Sequence, residues 1–214
     1  KLEGIAALVS LLKSEDVNGG RYAAFALSNL AANANHRAQI VEEGAPAPLV
    51  ALACAEDVDA QRQALAALRG IAITPENRSI IVREGIMDPL VLMARSDEIE
   101  IQREVAAALC NLSAMEENKV EITDRAISTI ITLLLSGDAE VERQACCTVA
   151  NLMEMVELHE KLLQEQGLAP IIALAISDDV NTKGEACRSL ANLAANADIQ
   201  AQLMREGALQ PLTS

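Results

Sequence analysis

The chain keeps a ruler of 40 or 41 residues along its length. A turn glycine marks it at Gly4, Gly44, Gly85, Gly167 and Gly207, with Ala126 in the one remaining slot. A second mark follows 25 or 26 residues later, at Asn29, Gly70, Asn111, Asn151 and Asn192. Two markers on one period describe stacked like units, each burying its apolar face against neighbours. A globule closed around one active site has no reason to repeat in this way.

Within one unit the pattern is helical. In residues 77–114, Asn77 is placed to cap a short helix, Arg78 to Arg83, which Glu84-Gly85 ends. Glycine is the usual left-handed helix stop. Pro89 stands near the start of a second helix, roughly to Ala94. There its missing amide hydrogen costs least. Ser96-Asp97-Glu98 forms a turn and cap, and a third helix runs from about Ile99 to Ala114. Ile101, Val105, Ala108, Leu109 and Leu112 recur at helical spacing on one side of it. Pro48 and Pro211 occupy the slot of Pro89, and Pro170 lies one place earlier.

Composition agrees with a stack of helices. Hydrophobic residues are 51% of the chain and aromatics 1%, namely Tyr22 and Phe25, so the core is aliphatic. The net charge of −14 repels phosphate backbones, which argues against a nucleic-acid partner. Much of the acidity precedes the long helices, at Glu15-Asp16, Glu56-Asp57, Asp97-Glu98, Asp138 with Glu140, and Asp178-Asp179. Carboxylates there cap free amides and complement the helix dipole. No apolar run is long enough to insert into a bilayer. Cys54, Cys110, Cys146, Cys147 and Cys187 are scattered through apolar helical stretches without metal-ligand spacing. They read as reduced thiols, which places the chain in the cytoplasm or nucleus.

Three helices per unit, a Glu-Gly turn and a third helix carrying Leu-x-Asn-Leu resemble an armadillo repeat. The third helices read Ala26-Leu27-Ser28-Asn29-Leu30, Ala108-Leu109-Cys110-Asn111-Leu112, Thr148-Val149-Ala150-Asn151-Leu152 and Ser189-Leu190-Ala191-Asn192-Leu193. The resemblance implies an all-α, right-handed superhelical solenoid with three helices per unit of ~41 residues. Residues 1–214 form a single repeat domain on this reading. Complete repeats fall at 34–74, 75–115, 116–155 and 156–196, flanked by partial ones at 1–33 and 197–214. The first lacks its first helix and the last its third. Such ends look cut rather than capped, and the expectation is end-to-end self-association.

The resemblance also implies a concave groove lined by the third helices, in which the asparagine grips an extended peptide. A carboxamide donates and accepts, so it matches a peptide unit without reading sequence. Asn29, Asn111, Asn151 and Asn192 are the matching positions, and Gly70 interrupts them. The alternative is that each asparagine bonds to a neighbouring helix. Importin-α-like members carry tryptophan four residues before the asparagine, forming slots for lysine. Here those positions are Phe25, Ala66, Ala107, Cys147 and Arg188, so a cation–π slot for a basic peptide is missing. The resemblance is therefore to scaffold or adaptor members.

Eight residues before the ladder stand Arg21, Arg62, Arg103 and Arg143, with Lys183-Gly184 at the last place. Eight steps of 100° set each arginine about 80° round from its asparagine. Such a strip either receives acidic side chains of a ligand or pairs with Asp59, Glu100 and Glu140 three residues earlier. Arg21 has Asn18 at that spacing and is the most available arginine, while Arg69 and Arg188 add charge near the ladder. Tyr22 and Phe25 form an aromatic contact point or fill space at the chain's first repeat. His36 and His159 share the helix-start slot of Asn77 and Asn118, which argues against a metal or catalytic pair.

No P-loop, nucleophile elbow, metalloprotease motif or carboxylate pair is present, and neither a cofactor nor an enzyme activity is expected. The expected function is a protein-interaction scaffold whose partner is a protein or peptide segment, with acidic side chains favoured. The alternative is a spacer within a longer solenoid, with no groove ligand.

Overall fold

The computed structural model describes residues 3–14 and 16–208. Glu15, Pro211 and the C-terminal residues to Ser214 lie outside the described residues, and with them the cap at Glu15, the Pro211 slot and the chain's last residues.

The described residues are helical and contain no strand. First helices are α3 (Ala34–Glu42), α6 (Pro75–Arg83), α11 (His159–Gln164, entered by a 3-10 turn at Val156–Leu158) and α14 (Gln200–Arg205). Second helices are α1 (Glu3–Leu12), α4 (Pro46–Ala53), α7 (Met87–Met93) and α12 (Leu168–Leu174). Third helices are α2 (Val17–Ala31), α5 (Val58–Ala72), α8 (Ile99–Ser113), α10 (Ala139–Leu152) and α13 (Val180–Ala194). The remaining helix, α9, runs unbroken over Glu116–Leu133 and merges the first two helices of its unit.

That merger follows from Ala126. At Gly85 the backbone turns through φ +90°, a left-handed conformation that stops a helix. Alanine resists that conformation and is the best helix former, so the chain continues straight through. Ala126 is fully buried in the resulting helix. In the following unit the left-handed residue is Gln166 at φ 60°, one place before the marker glycine. Gly167 serves space instead, since a Cβ there would run into Leu162.

Third helices stack each upon the next, α2 on α5, α5 on α8, α8 on α10 and α10 on α13. Alanines at the contacts, among them Ala23, Ala24, Ala31, Ala64, Ala67, Ala106 and Ala145, are fully or almost fully buried and let the backbones approach closely. Leu27, Leu65, Leu68, Leu109, Leu112 and Leu190 fill the continuous aliphatic core behind them. The superhelix is right-handed and all-α.

Three of the five acidic groups at the helix starts cap as predicted, whereas Asp16 and Glu98 stand at the N-caps of α2 and α8 without a side-chain cap bond. Asp57, Asp138 and Asp179 accept from the backbone amides of Ala60, Val141 and Thr182 at 2.7, 3.1 and 2.7 Å. Asn77 does not cap its helix, because α6 starts earlier at Pro75. It is buried, and its Nδ2 donates to the carbonyl of Ile71, six residues back, at 3.1 Å. Asn118 does the same to Leu112 at 3.1 Å, and His159 Nε2 meets the Met153 carbonyl at 2.8 Å. This slot therefore closes the end of the preceding third helix. Among the described residues, no helix is long and apolar enough to cross a membrane.

Candidate functional site

The half-exposed row of the third-helix layer carries the predicted residues. The ladder asparagines do not sit alike. Asn111 Nδ2 donates to the carbonyl of Arg69 at 3.3 Å, and Asn192 Nδ2 to that of Ala150 at 2.9 Å. Asn151 Nδ2 is shared between the Cys110 carbonyl at 3.4 Å and Ser113 Oγ at 3.1 Å. Each carboxamide therefore reaches back one repeat to the preceding third helix. Such a bond joins backbone to side chain across the stacking interface and is worth about 1 kcal/mol net. The carbonyl oxygens of Asn111 and Asn192 accept no hydrogen bond from the described residues. Asn29 is exposed, and its carboxamide has no partner among the described residues.

Asn151 is different because of Arg188. The guanidinium donates to Asn151 Oδ1 at 3.0 Å, and Asn151 is buried to 8% exposure. Arg188 is itself held by Glu185 at 2.8 Å and Glu154 at 3.6 Å.

At Gly70, the missing rung, an added Cβ would stand 3.0 Å from the Cβ of Ala31 and 3.9 Å from the Ser28 carbonyl. Ser28 lies 42 residues back, as Arg69 does from Asn111. Thus α2 and α5 close up where the side chain that would bridge them is absent.

Each arginine singled out in the sequence has a carboxylate partner. Arg62 and Arg143 pair with Asp59 and Glu140 on their own helices, at 2.9 and 2.5 Å. Arg103 departs from expectation: it reaches past Glu100 to Asp138, the cap of α10, at 2.7 Å. Arg21 meets Asp59 of the next unit at 3.6 Å, and Arg69 meets Glu104 at 2.6 Å. Arg69–Glu104, Arg103–Asp138 and the buried Lys119 with Glu154 share a separation of 35 residues. That recurrence, one period less about six residues, is a signal of inter-repeat pairing that intrahelical spacing rules overlook. The arginine beside Asp138 holds its carboxyl below the ordinary aspartate range, helped by the Val141 amide. The Thr182 amide does the same for Asp179.

Tyr22 and Phe25 are 64% and 51% exposed, so they do not fill the core. The Arg21 guanidinium lies 5.1 Å from the centre of the Tyr22 ring, within cation–π range. With Asp59, Arg62 and Gln63 these three line a shallow recess of about 220 Å³. The cysteines are less uniformly core-like than the sequence suggests: Cys146 is buried, Cys54 is exposed, and Cys110, Cys147 and Cys187 are half-buried. No group of three histidine, cysteine or acidic residues that could hold a metal ion occurs among the described residues.

Comparison with known proteins places this geometry in context. Residues 33–73 and 74–114 each match the model of the armadillo/beta-catenin-like repeat. Among solved structures, an engineered protein of the Northeast Structural Genomics Consortium is 30% identical with a TM-score of 0.90, over 98% of this chain and 87% of that one. The designed armadillo repeat protein YIII(Dq)4CqI is 26% identical with a TM-score of 0.92, over 98% and 90%. Another, YIII(Dq.V1)4CPAF, is described in complex with the peptide (KR)4 and is 26% identical, with a TM-score of 0.91 over 98% and 90%. No curated protein matches the chain in sequence.

Proposed function

The chain belongs to the armadillo/beta-catenin-like repeat family, and from that premise we propose that it is a non-catalytic scaffold holding an extended segment of a partner protein along its third helices. The observation that carries this reading is the polar row itself. Asn29, Asn111 and Asn192 present carboxamide oxygens on alternate third helices, α2, α8 and α13, and the exposed pair Tyr22 and Phe25 stands at one end. An extended backbone supplies amide hydrogens at regular intervals that such oxygens accept. Because the Nδ2 atoms of Asn111 and Asn192 already bond within the protein, these rungs accept and do not grip on both sides.

Tyr22 and Phe25 supply the apolar anchor, since aromatic side chains contribute large contact area at low entropic cost. The paired arginines weaken the preference for acidic ligands. An incoming carboxylate exchanges with Asp59, Glu104, Asp138, Glu140 or Glu185, and a partly exposed ion pair is worth only about 0–1 kcal/mol. The basic (KR)4 ligand of the designed relative is not carried over, because this chain has no tryptophan.

An array of short unstructured peptides, probed with wild type and with Asn111→Ala/Asn192→Ala and Tyr22→Ala/Phe25→Ala, tests the reading. Captured peptides should weaken about thirtyfold with each double variant, corresponding to roughly 1 kcal/mol for each of two lost contacts. Equal capture by folded variants would reject the groove. A second reading, a spacer in a longer solenoid, is favoured by the asparagine bonds to neighbouring repeats. It expects no peptide capture and large stability losses from the same asparagine variants.

A further inference from the structure

Cys110 on α8 and Cys147 on α10 belong to successive repeats, 37 residues apart, and their sulfurs approach to 2.6 Å. That separation is only ~0.5 Å beyond a covalent S–S bond. Both cysteines are half-buried on the third-helix layer. Cys146 next to Cys147 points the other way into the core, where it is buried.

We propose that Cys110 and Cys147 are a peroxide-sensitive dithiol whose oxidation staples the third repeat to the fourth. Cys147 is the attacking sulfur. The Cys110 S–H donates to it, and the Arg188 guanidinium lies 3.9 Å from it and favours a thiolate, an effect opposed by Glu185, which pairs with Arg188. The hydrogen bond from Cys110 holds the Cys147 thiol below its ordinary range, against the opposing effect of burial. The donated hydrogen bond, burial and the neighbouring sulfur push Cys110 up, so it keeps its proton and acts second. Burial raises Cys146 to about 12, which leaves it inert.

In the first step the Cys147 thiolate attacks one oxygen of hydrogen peroxide. An S–O bond forms, the O–O bond breaks, and hydroxide leaves, giving the sulfenic acid. In the second, the Cys110 sulfur attacks the Cys147 sulfur, the S–O bond breaks, and the departing hydroxide takes the Cys110 proton as water. Two thiols and one peroxide give one disulfide and two waters. The step needs no groove ligand and stands apart from the peptide-binding reading.

The test treats the full chain with a small excess of hydrogen peroxide, blocks remaining thiols, and maps it by non-reducing digestion and mass spectrometry. The expected result is one crosslink joining the Cys110 and Cys147 segments, lost with Cys110→Ser or Cys147→Ser, retained with Cys146→Ser, and reversed by dithiothreitol. The staple closes a loop of 37 residues, so the oxidised wild type should melt about 10 °C above the reduced protein. Cys110→Ser should instead stop at the sulfenic acid of Cys147, trapped by dimedone, which keeps the order of attack testable. No crosslink in the folded wild type, or a crosslink of Cys147 to a cysteine other than Cys110, would overturn the proposal.

Discussion

Arg188 covers Asn151: its Nη2 donates to the carboxamide oxygen at 3.0 Å and seals the rung that the ladder places between Asn111 and Asn192. Asn151 Nδ2 is meanwhile held by Ser113 and the Cys110 carbonyl, so this carboxamide is satisfied on both sides. The two residues should therefore be energetically coupled. In a double-mutant cycle with Arg188→Ala and Asn151→Ala, chemical denaturation should read a coupling of about 1 kcal/mol. Coupling below about 0.3 kcal/mol would mean that the contact contributes nothing.

Asn29 and Asn118 should respond unequally to the same change. Asn118 is buried and satisfies the Leu112 carbonyl, so Asn118→Ala should cost about 1–3 kcal/mol. Asn29 is exposed without a partner among the described residues, and Asn29→Ala should stay within about 0.5 kcal/mol. Thermal melts of the two variants beside wild type decide the matter. A large loss at Asn29 would reveal a structural role and remove it from the candidate ligand contacts.

Ala126→Gly should restore the missing marker and weaken the protein. The residue is fully buried within the continuous α9, where glycine costs about 1 kcal/mol relative to alanine. For a chain of this length that lowers the melting temperature by about 2–4 °C. An unchanged or higher melting temperature would indicate that the fused helix is strained and that a break at this point is tolerated.

Acidification should expose the capping aspartates. The carboxyls of Asp138 and Asp179 are held below their ordinary value, by Arg103 and the Val141 amide in one case and by the Thr182 amide in the other. A depressed folded value means that the unfolded chain takes up protons first as pH falls. The stabilisation is thus present above the unfolded value, near pH 4, and is lost as pH drops below it through the folded values. Melting temperature should fall as pH drops below about 4, and Asp138→Asn should flatten that fall. A wild-type profile no steeper than that of Asp138→Asn would remove the cap from the account.

Much of the architecture was legible in the sequence because a repeat announces its own boundaries. The left-handed turn at Gly85, the caps at Asp57, Asp138 and Asp179, and the shared slot of Asn118 and His159 all depend on contacts within a few residues. Local chemistry suffices to place them. Asn77 shows the limit even there: it reads as a cap, yet it bonds backward to Ile71. The site was less legible. Arg103 stands three residues from Glu100 but pairs with Asp138, and among cysteines that read as scattered thiols Cys110 and Cys147 meet across a repeat interface.

The sequence by itself determined the period, the helical class, the positions of the turns and the row on which Asn29, Asn111, Asn151 and Asn192 fall. Period and helix phase follow from spacing along one chain, and spacing is what a sequence records. Only the tertiary structure decided which face of each carboxamide is spent on the preceding helix, that Arg188 closes Asn151, and that Gly70 marks the close approach of α5 to Ala31 of α2. Those outcomes depend on distances between residues a full repeat apart. Superhelical stacking sets such distances to within an ångström, and hydrogen bonds and thiol contacts are sensitive to less than that.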